Sequence, residues 1–195
     1  MNFIVLLFSF FLQTPKDLCG VLKESYPLGV LNCTSTHMIL KDKTSISYFS
    51  PISLSIEERI ENPSLLDLFF DAYTSTLPRQ DGGRVRLYPL LNLVYGKNKK
   101  EIQSFLVLVP FLNQKVPFNK NNNASKALYQ VGQELEKLLE KNLQLKEYLT
   151  HGGTFNYRVI AKTNRLSAHS YGIAIDLGVK KSRYWQWDEN LLSPF

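Results

Sequence analysis

Several features that usually reveal the class of a protein are scarce or absent in this chain. The 195 residues include three histidines and two cysteines, so a zinc site built from cysteines alone is excluded. There are no internal repeats, and low complexity is limited to a short asparagine run within a polar loop predicted at Asn119–Asn123. The sequence also has no zinc-finger spacing, basic helix or alternation of aromatic and basic residues, which argues against a nucleic-acid partner.

The composition is otherwise that of an ordinary folded domain. With 44% hydrophobic residues, a chain of this length can bury one substantial core and is not expected to be disordered as a whole. The net charge of +6 and the isoelectric point near 9.2 favour anionic surroundings, such as a cell-wall polymer or a membrane surface.

The longest apolar run lies at the N-terminus, from Phe3 to Leu12. It is too short to cross a bilayer as an ordinary helix but is typical of a signal-peptide core. No lysine or arginine precedes it and no small-residue cleavage site follows it, so a buried first helix is the alternative. We predict that residues 1–18 form a signal peptide or an N-terminal anchor that associates transiently with a membrane.

Cys19 and Cys33 are the only candidates for a disulfide. In an oxidising compartment they can form one bridge, which closes a loop of about 15 residues and stabilises the fold by about 3 kcal/mol. In a cytosolic protein they would stay reduced. Export of the chain therefore predicts the bridge.

The second half of the chain has the clearest secondary-structure signals. Phe105–Val109 is a continuous apolar run that predicts a buried strand, which Pro110 should end because proline cannot donate to a sheet ladder. A helix capped by Asn123 or Ser125 is predicted to extend to Leu149. Its predicted core face consists of Leu128, Val131, Leu135, Leu138, Leu145 and Leu149. These elements predict an α+β fold, in which one long helix packs on a small antiparallel sheet.

The segment 167–176 combines two potential metal ligands with a strand-like pattern. Small and large residues alternate from 172 to 179, which places the larger apolar ones on one face of a strand. They are Ile173, Ile175 and Leu177. That face predicts contact with a core, while the small residues around Asp176 leave room for a ligand to approach its carboxylate.

His169 precedes Asp176 by seven positions. An extended chain would separate them by roughly 23 Å, whereas two ligands of one zinc ion each lie about 2.0–2.2 Å from it. The spacing fits a metal pair only if the chain bends, and Ser170, Tyr171 and Gly172 are the expected bend because glycine accepts conformations closed to other residues. The alternative is a hydrogen-bonded surface histidine and an unrelated strand-end carboxylate.

The longer run 152–177 begins with GGTFNYR and ends with TNRLSAHSYGIAIDL. It resembles the D-alanyl-D-alanine carboxypeptidase family of the VanY type, whose members are zinc peptidases that act on peptidoglycan stem peptides. The resemblance implies that His169 and Asp176 are the first two zinc ligands. It also implies that Ser167 and Arg158 contact the peptide substrate, with Arg158 near its carboxylate.

The resemblance further implies residues that this sequence does not contain. Family members carry a general-base carboxylate three residues before a histidine that is the third zinc ligand. No histidine follows His169, so we expect the base and the third ligand beyond Phe195 and identify no catalytic residue within the chain. His151 is the alternative third ligand. Two functions stay open: a zinc-dependent carboxypeptidase of D,D or L,D type, and a non-catalytic peptidoglycan-binding protein.

The sequence therefore predicts three regions. Residues 1–18 are the signal peptide or anchor, residues 19–95 have no pattern that identifies a function, and residues 96–195 are a zinc-peptidase-like domain that is C-terminally incomplete for its family. The local signals of the middle region are a strand at Ile46–Phe49, a helical stretch at Ser64–Tyr73 and a turn at 81–83. Together these features predict a periplasmic or secreted protein of a bacterial envelope.

Overall fold

The computed structural model of the chain describes residues 14–69, 85–161 and 163–178. Most of the predicted N-terminal segment and the predicted turn at 81–83 lie outside the described residues. The chain divides into two compact units, Met1–Leu93 and Val94–Phe195.

The first unit combines short helices with one small sheet. Its elements are α1 (Pro15–Ser25), β1 (Val30–Cys33), β2 (His37–Leu40), β3 (Ser45–Ser47), α2 (Ile56–Glu61), a 3₁₀ helix at Leu66–Phe69 and α3 (Tyr88–Tyr95), which continues into the second unit. The sheet is antiparallel with the order β1-β2-β3. Met38 and Leu40 are fully buried beneath it. The strand predicted around Ile46 is therefore confirmed as β3, and the helical stretch predicted from Ser64 begins as a single 3₁₀ helix.

A disulfide joins the helix and the sheet of this unit. Cys19 of α1 is bonded to Cys33 of β1 across a separation of 14 positions, which confirms the predicted pairing. Cys19 is completely buried, so the bridge forms part of the core of the unit. Because such bonds persist in oxidising compartments, the bridge indicates a protein that resides outside the reducing cytosol.

The second unit contains a two-stranded hairpin and the longest described helix. Its elements are α4 (Lys99–Ser104), β4 (Leu106–Phe111), β5 (Gln114–Asn119), α5 (Ala124–Lys141), β6 (His151–Gly153) and β7 (Asp176–Leu177), with 3₁₀ helices at Asn121–Asn123, Leu143–Tyr148 and Ala168–Tyr171. β4 pairs antiparallel with β5, and β6 with β7. The core between the hairpin and α5 is formed by Val109, Phe111, Val116, Phe118 and Leu128.

The predicted α+β class, with small antiparallel sheets and a helix packed on strands, is confirmed. Three such sheets are present in the described residues, of three, two and two strands, where the sequence predicted one. None of the described helices is long and apolar enough to cross a membrane.

The prediction that Pro110 ends the first strand of the hairpin is wrong. β4 continues to Phe111, and Pro110 pairs with Lys115. Within the described residues β4 and β5 form a two-stranded sheet of their own, so each is an edge strand. An edge strand tolerates proline at positions where its backbone nitrogen faces away from the neighbouring strand, because no hydrogen bond of the sheet is lost there. A sheet this narrow is buried on one face only, so Leu108 is 67% exposed while Val109 is 4% exposed.

The long helix is also shorter than predicted. α5 ends at Lys141, and Asn142 takes an extended conformation before the next 3₁₀ helix begins. The Asn142 side chain accepts a hydrogen bond from the backbone N–H of Gln144. Asparagine side chains compete with helical backbone bonds in this way, and the periodicity of the leucines conceals the interruption.

The predicted core face of α5 is only half correct. Leu128 is 6% exposed, but Val131 and Leu138 are 51% and 49% exposed. The hairpin is two strands wide and covers a narrow stripe of the helix that includes Leu128, Gly132 and Leu135. The apolar residues at helical spacing therefore form a wider face than this small sheet can bury.

Removal of the disulfide should destabilise the first unit. A variant with both Cys19→Ala and Cys33→Ala is expected to lose about 3 kcal/mol of unfolding free energy, because an uncrosslinked loop of about 15 residues gains entropy when it unfolds. Urea unfolding with and without a reductant measures this. The wild-type midpoint should fall in reductant to that of the variant, and a wild-type midpoint insensitive to reductant contradicts the prediction.

Candidate metal and peptide site

A short strand of the second unit carries the first predicted metal ligand. Ile175 and Leu177 pack against the core between the hairpin and α5. Strand alternation turns the side chain between them to the opposite face, and Asp176 is accordingly 61% exposed. The core thus fixes the position of the carboxylate and leaves it accessible to a ligand.

The 3₁₀ helix Ala168–Tyr171 carries the second predicted ligand. Ser167 caps its start, because the hydroxyl accepts a hydrogen bond from the backbone N–H of His169 at 3.4 Å. Gly172 ends it with a φ of 66°. The positive φ favours glycine, and a Cβ on Gly172 would lie 2.5 Å from Cδ2 of Leu106, so the Leu106 side chain would have to move. The predicted bend between His169 and Asp176 is therefore confirmed.

The imidazole of His169 has a polar contact at each ring nitrogen. Nδ1 lies 2.7 Å from the backbone carbonyl oxygen of Thr154, and since a carbonyl only accepts, Nδ1 carries the hydrogen and donates. Nε2 lies 3.2 Å from Oδ1 of Asp176. The two predicted metal ligands therefore meet, and the His169 side chain is 13% exposed.

This arrangement directs two acceptors at each other. With its hydrogen on Nδ1, a neutral His169 presents the Nε2 lone pair to a carboxylate oxygen, which offers lone pairs only. A shared proton or a shared cation relieves the repulsion. Bonds of about 2.0–2.2 Å in a tetrahedral zinc site separate the ligand atoms by about 3.3–3.6 Å, close to the 3.2 Å between Nε2 and Oδ1. The pair fits two zinc ligands.

In the part of the chain that the structure describes, no third ligand joins this pair. No group of three histidine, cysteine, aspartate or glutamate side chains there could hold a metal ion. His151, the alternative third ligand, instead places Nε2 2.8 Å from Oε1 of Gln114 and meets Phe111 edge-on, with 6.4 Å between ring centroids. The described residues thus contain two candidate ligands, whereas catalytic zinc typically has three protein ligands.

Arg158, a predicted peptide contact, is tied by its backbone to the 3₁₀ helix that bears His169. The hydroxyl of the fully buried Ser170 accepts from the Arg158 N–H at 2.9 Å and donates to the Arg158 carbonyl at 2.6 Å. The same carbonyl accepts from the Ser167 N–H at 3.1 Å. The Arg158 side chain is exposed, and no carboxylate of the described residues pairs with it. The backbone that carries this exposed cation is therefore fixed to the turn that bears His169.

Ser167, the other predicted peptide contact, lies next to the pair but is only 7% exposed. Its hydroxyl accepts the cap bond from the His169 N–H, and its hydrogen remains to be donated. The structure thus gives Ser167 a clear role in forming the 3₁₀ helix and places its hydroxyl at the start of the turn that bears His169.

Asn119, predicted to lie in a polar loop, has a structural role that the sequence does not reveal. Asn119 is the last residue of β5 and is completely buried. Its Nδ2 donates to the carbonyls of Tyr95 and Tyr171, at 3.1 and 3.0 Å, and its N–H donates to the Gly172 carbonyl at 2.8 Å. It fastens the bend of the site to the hairpin. Its position at the start of an asparagine-rich stretch concealed this role.

Thr154 was missed as well, because a threonine after two glycines has no distinguishing pattern. It is 4% exposed, and its hydroxyl donates to the carbonyl of Pro117 in β5 at 2.6 Å. Its own carbonyl is the acceptor for His169. Only the folded structure reveals this contact across the chain.

Comparisons with known proteins bear on the C-terminal part of the chain. A sequence model described as D-alanyl-D-alanine carboxypeptidase matches residues 161–194. No curated protein and no solved structure matches the chain. The matched segment contains Ser167, His169 and Asp176, whereas Arg158 precedes it. Over residues 161–194 the chain thus carries the sequence pattern of the D-alanyl-D-alanine carboxypeptidase family, and the predicted resemblance is confirmed there.

Proposed function

We propose that this chain contains two metal ligands, His169 and Asp176 (the metal pair), and the peptide contacts of a zinc-dependent carboxypeptidase, of D,D or L,D type, that acts on peptidoglycan stem peptides. The observation that carries the proposal is the 3.2 Å approach of His169 Nε2 to Asp176 Oδ1, made while Nδ1 donates to a backbone carbonyl. The family match over residues 161–194 supports the class of reaction.

His169 and Asp176 are the residues that would hold zinc. A bound zinc ion supplies Lewis acidity, which polarises a carbonyl group and lowers the pKa of water. The chain contributes orientation: the Thr154 carbonyl directs the His169 lone pair, and Asp176 adds a negative charge that offsets part of the charge of a cation. No third ligand is assigned among the described residues.

Arg158 is proposed to hold the terminal carboxylate of the stem peptide. A guanidinium can bind a carboxylate through two parallel hydrogen bonds. Because Ser170 ties the Arg158 backbone to the turn that bears His169, the carboxylate would be held on the same segment of the fold as His169. Positioning of this kind lowers the entropy that must be lost in the reaction. Ser167 is proposed to donate its hydroxyl hydrogen to the peptide backbone.

The rest of the chain supports a location in the bacterial envelope, periplasmic or secreted. The Cys19–Cys33 disulfide belongs to an oxidising compartment. The net charge of +6 favours an anionic polymer or membrane surface. The apolar N-terminal run is proposed to provide the export signal and a transient membrane contact.

The second candidate function is a peptidoglycan-binding protein without catalysis. The observation that favours it is that the described residues supply two metal ligands and no third. In that case Arg158 and Ser167 recognise the stem peptide, and metal is not needed for binding. The two candidates differ in their response to a chelator.

Loss of either metal ligand should weaken zinc binding. His169→Ala and Asp176→Asn are each expected to lower Zn²⁺ affinity by about 10-fold or more, since even partners outside the first coordination shell cost about 10–100-fold. Competition with a chromophoric chelator measures the dissociation constants. His151→Ala is the control and should bind zinc like the wild type. Equal affinity of the wild type and His169→Ala contradicts the proposal.

Loss of the Arg158 guanidinium should weaken binding of a stem peptide that ends in a free D-alanine carboxylate. Calorimetry is expected to show a weakening of about 10–100-fold for Arg158→Ala, the value of a hydrogen-bonded charge pair. Lys137→Ala, which removes an exposed cation paired with Glu134, is the matched control.

A peptide with an amidated C-terminus identifies the group that Arg158 contacts. The amidated peptide should bind to the wild type more weakly than the free-acid peptide does, and it should bind equally well to the wild type and to Arg158→Ala.

A chelator distinguishes the two candidate functions. Peptide binding that is insensitive to chelator, with no release of D-alanine in the presence of zinc, favours the binding protein over the enzyme. Absence of any peptide binding contradicts both functions.

A further inference from the structure

We propose that Thr154 is a positioning residue that fixes the tautomer and the orientation of His169, and that its buried hydroxyl anchors this role to the β4-β5 hairpin. The inference rests on the proposed metal function of His169 and deepens it. Thr154 touches no substrate or metal in this scheme, because it acts through the imidazole.

The backbone carbonyl of Thr154 selects the tautomer. A neutral imidazole has two tautomers, and only one of them leaves Nε2 as an acceptor. The carbonyl oxygen lies 2.7 Å from Nδ1, which is a short hydrogen bond for a nitrogen donor. The bond keeps the hydrogen on Nδ1 and the lone pair on Nε2, the atom that faces Asp176. Histidines that bind metals are typically held by such a partner at the other ring nitrogen.

The hydroxyl of Thr154 keeps that carbonyl in place. Oγ1 donates to the Pro117 carbonyl at 2.6 Å, from a residue that is 4% exposed. Pro117 lies in β5 between Val116 and Phe118, which are 3% and 6% exposed in the core of the unit. The bond fixes the Cα of Thr154 against a rigid part of the fold, so a displacement of this residue together with its carbonyl would break a largely buried hydrogen bond.

The residue before Thr154 connects the same segment to the other ligand. Gly153 of β6 is the register partner of Asp176 in β7. One dipeptide, Gly153-Thr154, therefore contacts the backbone of Asp176 on one side and the ring of His169 on the other. A change in its position would move both ligands, and the Thr154 hydroxyl is the side-chain contact that ties it to the hairpin.

The test compares three variants of the full chain. Thr154→Val removes the hydroxyl and keeps the shape, and Thr154→Ser restores the hydroxyl. Thr163→Val is the matched control, because its hydroxyl also donates to a backbone carbonyl, that of Ile160 at 2.9 Å, and contacts neither ligand. Zn²⁺ affinity is expected to fall about 10-fold in Thr154→Val and to stay within a factor of three of the wild type in Thr154→Ser and Thr163→Val.

The ring itself provides a readout that a merely structural role would not change. Nitrogen-15 NMR of the metal-free protein above the pH at which histidine is protonated should show one tautomer for His169 in the wild type, with hydrogen on Nδ1. In Thr154→Val a mixture of the two tautomers is expected. Thr154→Ser and Thr163→Val should resemble the wild type.

Several results would overturn the inference. They are a wild-type His169 with its hydrogen on Nε2, a Thr154→Val protein with unchanged tautomer and affinity, and a Thr163→Val protein with the same loss of affinity. If Thr154→Val does not fold, the His169 tautomer of the wild type and the Zn²⁺ affinity of Thr154→Ser still test the inference. If instead zinc binds the wild type and His169→Ala equally, the proposed function fails, while the tautomer measurement still tests the role of Thr154.

Discussion

The hydrogen bond from His169 Nδ1 to the Thr154 carbonyl is the interaction on which the candidate site depends. It is 2.7 Å long, and because a carbonyl only accepts, it places the hydrogen of the neutral imidazole on Nδ1. If the hydrogen were on Nε2, the ring would make an ordinary neutral hydrogen bond to the carboxylate and would have no lone pair there for a metal ion. With the hydrogen on Nδ1, the 3.2 Å space between Nε2 and Oδ1 has the dimensions and the polarity of a cation site. The proposed metal function of His169 therefore depends on a backbone carbonyl.

The hairpin is the platform for that bond, and its sequence explains why. On one side β5 alternates Val116 and Phe118 into the core, which leaves the carbonyl of Pro117 in a fixed position to receive the Thr154 hydroxyl. At the end of the same strand, Asn119 binds the carbonyls of Tyr171 and Gly172. The residue that holds the His169 ring and the bend between His169 and Asp176 are thus both fastened to one strand, so that a small unit with a narrow core can still hold the two side chains at a defined separation.

The sequence predicted the parts of the site that depend on local patterns. The bend at Gly172 follows from the spacing of His169 and Asp176, and the exposure of Asp176 follows from strand alternation. It could not predict Thr154 or Asn119, because their partners are 37 and 52 positions away for the bonds to Pro117 and Tyr171 and nothing local distinguishes them. The errors in the fold have a similar origin. The prediction that Pro110 ends a strand assumes a strand with neighbours on both sides, and the prediction that Val131 is buried assumes a helix face that is fully covered. The hairpin has only two strands, so it leaves a strand edge and part of the helix face uncovered.

An ion pair between His169 and Asp176 is the rival explanation for their proximity, and the energetics argue against it as the purpose of the arrangement. The carboxylate is 61% exposed, and ion pairs in such surroundings typically contribute about 0–1 kcal/mol. Much more of the fold holds the two side chains in place: a buried threonine, a fully buried asparagine and a glycine with a positive φ. A marginal surface ion pair does not require this support. A cation between two fixed ligand atoms does, because its affinity depends on their separation and on the direction of their lone pairs.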